Sequence, residues 1–225
     1  MAVALLFMAA VGMCVQVLNA PRAVAAFDES ICIVLDAGHG GVDGGVVGRC
    51  SNIKESDLNL AITYKLKDEL EGMGFQVVLT RKTEAGLYDT VMKGFKKRDM
   101  QKRREIIQDK KPAMVLSIHQ NFYPSKQPRG GQVFYSKGNM DGAKLANGLQ
   151  KKINGLYAEE GAKQRVVAAG DFFILQCVDA PSVIVECGFL SNEKDEALLI
   201  DENWQKRLAK SLAEGTMEYF SDASA

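Results

Sequence analysis

A chain of 225 residues, 47% apolar and 25% charged, has the size and composition of one soluble globular domain with a sizeable core. Its 28 basic and 28 acidic residues cancel, so nothing in the charge balance argues for nucleic acid or an anionic membrane surface, and no nucleic-acid partner is expected. No internal repeat or low-complexity linker marks a second domain.

Ala2 to Leu18 are nearly all apolar, and small residues follow at Asn19-Ala20 and from Ala23 to Ala26. This resembles the apolar and cleavage regions of a secretory signal. A Lys/Arg-rich start is missing and the length is borderline for a span, so residues 1–26 are expected to be either a cleaved signal peptide or a retained membrane anchor. Met13 before Cys14 departs from the small residue that a lipoprotein site needs. The folded domain is then expected over 27–225, outside the cytoplasm, with the membrane reached only through the N-terminal segment.

The apolar run Ile31 to Leu35 predicts a first strand that stops at Asp36 and opens into the glycine-dense turn Gly38-His39-Gly40-Gly41. Leu58, Ala61, Ile62, Leu66 and Leu70 recur at helical spacing after Ser56, and Gly72 and Gly74 supply the stop. Glu55 therefore stands at the very start of the first helix. Phe75–Leu79 predicts a strand and Arg81–Gly94 a loop. Phe95–Lys110 predicts a second helix, basic at Lys96, Lys97, Arg98, Lys102, Arg103 and Arg104. It is expected to be a solvated face, with Met100, Ile106 and Ile107 turned inward.

Pro112 punctuates, Ala113–His119 predicts a third strand and Tyr123–Gly131 a loop. Gln132–Tyr135 is a further strand and Met140–Tyr157 a helix. Phe172–Leu175 and Ser182–Val185 are expected to be short strands, the second ending in Glu186. Trp204–Phe220 closes the chain as an amphipathic helix. Alternating strands and helices predict a single α/β domain: a mostly parallel, twisted sheet of about six strands flanked by helices on both faces.

In open sheets of that kind ligands bind beyond the carboxyl ends of the strands. His39 and His119 are the only histidines in the chain, and both follow apolar strands, as does Glu186; Glu55 begins the first crossover helix. Two imidazoles and one carboxylate leave a tetrahedral Zn2+ with an open position for water. A further carboxylate takes the proton and passes it to a leaving amine, a role that fits Glu186. Asp36, Asp43 and Asp57 are rival ligands that spacing alone leaves open.

Other signatures fail. A dinucleotide fingerprint counted from Gly38 and Gly40 needs a glycine where Asp43 stands, and no phosphate loop, His-Glu-x-x-His helix or Gly-x-Ser-x-Gly elbow occurs. Cys32, Cys50, Cys177 and Cys187 form no CxxC pair, which argues against a thiolate zinc cluster and leaves their disulfide state open. Cys32, in an apolar run, reads as a buried free thiol.

Leu35-Asp36-Ala37-Gly38-His39-Gly40-Gly41, Lys54-Glu55 with Leu58-Asn59, Leu79-Thr80-Arg81, Ser117-Ile118-His119-Gln120-Asn121 and Val185-Glu186-Cys187-Gly188-Phe189-Leu190-Ser191-Asn192 together resemble the zinc-dependent N-acetylmuramoyl-L-alanine amidases of the amidase-3 family. The likeness runs in order from about Ile31 to Phe220 and is strongest to the compact germination-specific (CwlD-type) branch. It implies metal ligands at His39, Glu55 and His119 and a catalytic Glu186. The implied reaction cleaves the amide between the lactyl group of muramic acid and the L-alanine of the peptidoglycan stem peptide, in the spore branch toward muramic-δ-lactam. The implied site of action is the cell wall or the forespore intermembrane space. Arg81 and Asn121 lie in these motifs and are expected to be structural. Tyr123–Gly131 is too short for the autoinhibitory helix of division-type relatives, and wall-binding repeats are absent; regulation is then expected from the leader or from a lipoprotein activator. A zinc peptidase acting within the stem peptide and a catalytically silent wall-binding module are the alternatives.

Overall fold

Ile33, Val34 and Leu35 are all fully buried, which is how a central parallel strand covered on both faces reads in sequence. They form β1 (Cys32–Ala37), the first element of a computed structural model that describes residues 31–223. The expected signal or anchor, residues 1–26, lies outside the described residues. There follow α1 (Glu55–Gly72), β2 (Gln76–Leu79), α2 (Phe95–Lys110), β3 (Met114–Asn121), β4 (Gln132–Ser136), α3 (Met140–Ala158), β5 (Ala168–Gly170), a 3-10 turn (Phe173–Gln176), β6 (Ser182–Phe189), α4 (Glu193–Ile200) and α5 (Glu202–Ala223).

The six strands make one sheet in the order β2-β1-β3-β6-β4-β5. The first four are mutually parallel; β4 runs antiparallel to β6 and carries β5 parallel at the edge. Strand alternation divides the core in two. Ile33, Leu35, Leu116 and Val185 pack with α1, α3 and α5, whereas Val34, Val115 and Ile184 pack with Ile107 of α2 and with Ile174 and Leu175. In α1 the i, i+4 series Leu58, Ile62, Leu66, Leu70 is at most 2% exposed, so one stripe carries the whole helix onto the sheet. Gly74, at φ 94°, turns the chain out of that helix into β2.

The predicted architecture holds, with four local differences. Phe172–Leu175 is not a strand: adjacent Ile174 and Leu175 are both buried while Phe173 is exposed, a turn's pattern and not the period-2 alternation of a strand. The edge strand is instead Ala168–Gly170, set opposite Phe134–Ser136. Helix α4 went unpredicted; it is only eight residues long and begins where the Asn192 side chain accepts from the backbone N–H of Lys194 and Asp195. Strands β3 and β6 run past their expected ends, so His119 and Glu186 lie inside strands, paired with each other in register. Finally, Arg103 does not belong to the solvated face of α2, for it is 1% exposed. Among the described residues Cys32, Cys50, Cys177 and Cys187 form no disulfide, and Cys32 is half-buried rather than buried. Among the described residues no helix is long and apolar enough to cross a membrane.

Candidate metal centre

The site begins with a backbone problem. Just past β1 the chain turns through His39 at φ 61°, a left-handed conformation that a residue with a Cβ adopts at a cost. Two buried arginines hold it there. Arg103 donates to the carbonyls of Ala37 (2.7 Å) and His39 (2.5 Å) and to Asp36 Oδ1 (2.6 Å). Arg81 donates to the carbonyls of Ala37 (2.8 Å), Gly38 (3.0 Å) and Ser56 (2.8 Å). Asp36 is the counter-charge, and it also accepts from Thr80 Oγ1 at 2.6 Å and Ser117 Oγ at 2.7 Å. Burial alone would raise the Asp36 pKa, but the Arg103 charge and these two hydroxyls outweigh it and hold the carboxyl at about 2. Arg81 is thus structural, as expected, and Asp36 is the anchor of the turn.

Around the turn the predicted residues converge. One ligand atom each from His39, Glu55 and His119 lies within 4.8 Å of the others. His119 Nδ1 is 2.9 Å and His39 Nε2 3.3 Å from Glu55 Oε1, and the two rings meet edge to face at 5.1 Å. Glu55 is the first residue of α1 and only 3% exposed. Its Oε1 accepts from the Gln120 backbone N–H and its Oε2 from that of Val46. Burial pushes the Glu55 carboxyl up, yet hydrogen bonds from His119 and His39 outweigh that and hold it far below the usual carboxylate range. Burial likewise lowers the His39 pKa, and contacts with Glu55 and Asp43 more than reverse it.

Two glycines make the approach possible. A Cβ on Gly38 would fall inside the His119 ring, and one on Gly45, at φ 69°, would overlap Glu55 Oε2. Two imidazole nitrogens and one carboxylate oxygen, drawn together by backbone that tolerates no side chain, suit a zinc ion by donor type. His39 Nδ1, on the far side of its ring, lies 3.1 Å from Asp43 Oδ2, the carboxylate partner that metal-binding histidines commonly have. Lys96 in turn holds Asp43 at 2.8 Å. Of the rival ligands, then, Asp36 is committed to Arg103 and Asp43 backs His39. Asp57 is exposed and outside the cluster.

Glu186 sits one strand further on, in register with His119. Its Oε2 is buried without a hydrogen-bond partner among the described residues. Burial pushes its pKa up to about 7; the two imidazoles lower it and the Glu55 charge raises it. A cavity of about 300 Å³ opens beside His39 and His119 between α2 and the 3-10 turn, walled by Tyr88, Phe95, Met100, Phe173 and Ile184. Asn121 stays out of the cluster: its side chain caps the Phe122 backbone N–H and its carbonyl holds Leu190.

The structure brings His39, Glu55 and His119 together with Glu186 on the neighbouring strand, and sequence reasoning missed their supports. In the sequence Asp43 reads as a rival ligand rather than as a neighbour of His39, and Arg103 is hidden in a run of cationic residues. The i, i+4 spacing of Glu55 and Asn59 was the one available signal for a further polar group at the site.

The residues 33–218 match the family described as N-acetylmuramoyl-L-alanine amidase. The germination-specific N-acetylmuramoyl-L-alanine amidase of Bacillus subtilis is 31% identical over 193 residues, 84% of this chain and 80% of that protein. The CwlD amidase of Clostridioides difficile, solved in complex with the GerS lipoprotein, superposes with a TM-score of 0.80 at 35% identity, covering 85% of this chain and 98% of that one. The catalytic domain of CwlV, an N-acetylmuramoyl-L-alanine amidase from Bacillus (Paenibacillus) polymyxa var. colistinus, gives a TM-score of 0.72 at 30% identity, over 85% and 98% of the two chains.

Proposed function

This chain belongs to the N-acetylmuramoyl-L-alanine amidase family, and from that premise we propose that His39, Glu55 and His119 hold a catalytic zinc ion and that Glu186 carries the proton. It is a hydrolase of the amide that joins the muramic acid lactyl group to the first L-alanine of the peptidoglycan stem peptide. The reading of the site rests on one observation: three metal-type donor atoms within 4.8 Å of one another, with the partnerless Glu186 Oε2 on the neighbouring strand.

When bound, zinc supplies Lewis acidity, polarising a carbonyl and making water a nucleophile near neutral pH. The protein's own groups do the rest. Glu186 Oε2 takes the proton of the attacking water and delivers it to the amide nitrogen of the departing L-alanine. Burial raises the Glu186 carboxyl and a cation held by the three ligands would lower it, and a carboxyl balanced between those influences is suited to both halves of that transfer. Asp43 Oδ2 lies 3.1 Å from His39 Nδ1, on the side of the ring away from Glu55, and the Arg81–Arg103 clamp holds the backbone that presents the ring.

The apolar stretch Ala2–Leu18 and a cell-wall substrate support export, with the membrane met only through that stretch. Likeness to a germination-specific amidase supports work in spore cortex, toward muramic-δ-lactam. Likeness to an amidase solved with a lipoprotein supports a lipoprotein activator.

The test is mass spectrometry of peptidoglycan fragments after digestion by the full chain with zinc, beside a chelator control. Free stem peptides that begin with L-alanine, lost on chelation, support the reading. Shortened peptides still attached to muramic acid would replace it with a zinc peptidase.

A further inference from the structure

Asn59 is an amide with 0% exposure in the first helix of an α/β protein, where apolar residues are the rule. Its position follows from helix geometry: four residues after Glu55, it lies on the same face of α1, one turn further in. Its Nδ2 donates to Glu55 Oε1 at 3.3 Å and to the Gly38 carbonyl at 3.1 Å. Its Oδ1 accepts from Gln120 Nε2 at 3.1 Å. Both hydrogens and the oxygen are therefore in use, and the amide has one orientation. A flip would set Oδ1 against two acceptors, Glu55 Oε1 and the Gly38 carbonyl, and an NH2 against an NH2.

Gln120, 3% exposed, is fixed by its own strand. The β3–β6 register shifts just here: His119 faces Glu186 but Asn121 faces Phe189, an irregularity of bulge type. At that point the side chain of His119 and the backbone N–H of Gln120 both reach Glu55 Oε1. The same few residues thus connect β3, α1 and the Gly38 turn through one carboxylate oxygen.

We propose that Asn59, itself held by Gln120, is a positioning residue that fixes the Glu55 carboxylate and the Gly38 turn in the arrangement that receives the metal. This rests on the zinc reading given above. A carboxylate at the end of a side chain with three rotatable bonds would otherwise sample other rotamers, and ordering it would count against metal affinity. Partners that orient a ligand in this way are worth about tenfold to a hundredfold in affinity.

The experiment measures zinc affinity by competition with a chromogenic chelator, using the full chain and its Asn59→Leu and Gln120→Leu variants. The absorption spectrum of each cobalt(II)-loaded protein and the melting temperature of each metal-free protein complete the set. Expected are a loss of about tenfold to a hundredfold for Asn59→Leu, a smaller loss for Gln120→Leu, and an altered cobalt spectrum in both. A purely structural amide would lower the metal-free melting temperature and leave the affinity and spectrum of the folded variant unmoved, and that result overturns the inference. Should Asn59→Leu fail to fold, Gln120→Leu decides alone, with weakened binding in favour and unchanged binding against. A wild-type chain that takes up no zinc overturns the metal reading and this inference together, whereas wild-type binding matched by both variants overturns this inference only.

Discussion

Replacing Arg103 with methionine tests whether the turn that presents His39 is held electrostatically. The guanidinium is 1% exposed and Asp36, its partner at 2.6 Å, is 2% exposed. Methionine keeps much of the apolar stem and removes every donor. Asp36 is left with two hydroxyl donors and no cation in contact with it, Asp99 loses its 2.6 Å partner, and the His39 carbonyl loses its donor. Removing one member of a buried pair costs about 3–5 kcal/mol, mostly because the other charge remains. For a domain of this size each kcal/mol is worth about 2–4 °C, so the melting temperature should fall by about 6–20 °C. Lys102→Met, on the same helix but with a side chain 56% exposed and paired only with Glu105, should stay within about 0.5 kcal/mol of wild type. The pH dependence supplies a second sign. In wild type the Asp36 pKa is depressed to about 2, so its contribution is present above the unfolded value of about 3.9 and is lost as pH falls through the folded one. In the variant the largest opposing charge is gone and only the Thr80 and Ser117 hydroxyls and more distant charges offset burial, so the folded pKa rises from its wild-type value and the deficit should shrink on acidification. Urea titrations at neutral pH and near pH 4 measure both effects. An Arg103→Met protein as stable as Lys102→Met, or a deficit that widens on acidification, would refute the reasoning.

Glu186→Gln should keep zinc, measured by elemental analysis of the dialysed protein, while kcat drops by about a hundredfold to ten-thousandfold; turnover near wild type with zinc bound would remove Glu186 from its role. Gly45→Ala places a methyl on Glu55 Oε2 at a backbone φ of 69°, so both zinc affinity and stability should fall, and a variant that binds zinc as tightly as wild type would show that the close approach is dispensable. Chelation should lower the melting temperature of wild type, because a ligand at about 1,000 times its Kd adds about 4 kcal/mol to the native state. The same treatment should leave a His119→Ala protein unmoved, and an equal shift in both would place the metal elsewhere.

The chemistry of the site was legible because its residue types are rare in their settings. Two histidines in the whole chain, each just beyond or within an apolar strand, and a glutamate inside Val-Ile-Val-Glu-Cys have few roles other than functional ones. The supports were illegible because they come from pairings distant in sequence. Arg103 lies 67 residues from Asp36, and in sequence it is indistinguishable from Arg104 beside it, which is only half-buried. Helical phase alone decides: Asp99, Arg103 and Ile107, at i, i+4 and i+8, share the buried face of α2. The rule that charged residues face solvent is correct for Lys97 and Lys102 and fails where the partner is an aspartate on the adjoining strand. Phe172–Leu175 failed for another reason, since four apolar residues fit a buried turn as well as a strand and only the position of β4 and β5 distinguishes them.

Strand order explains how the proposed metal ligands and the proposed proton carrier come to one rim of the sheet. β1, β3 and β6 are consecutive in the sheet although separated in the chain, and neighbouring strands lie about 4.8 Å apart. His39 leaves the end of β1, His119 is on β3 and Glu186 is on β6, so the two proposed histidine ligands and the proposed base occupy three successive positions along one rim. Alternation puts His119 and Glu186 on the face shared by Val115, Ser117 and Ile184, away from α1, and His119 lines the cavity there. Glu55 is the exception, delivered from the opposite face by the first turn of a helix, and four hydrogen bonds meet its carboxylate. A ligand carried by the sheet inherits its position from backbone pairing. One brought in from a helix terminus has to be held by side chains, and that is where Asn59 and Gln120 stand.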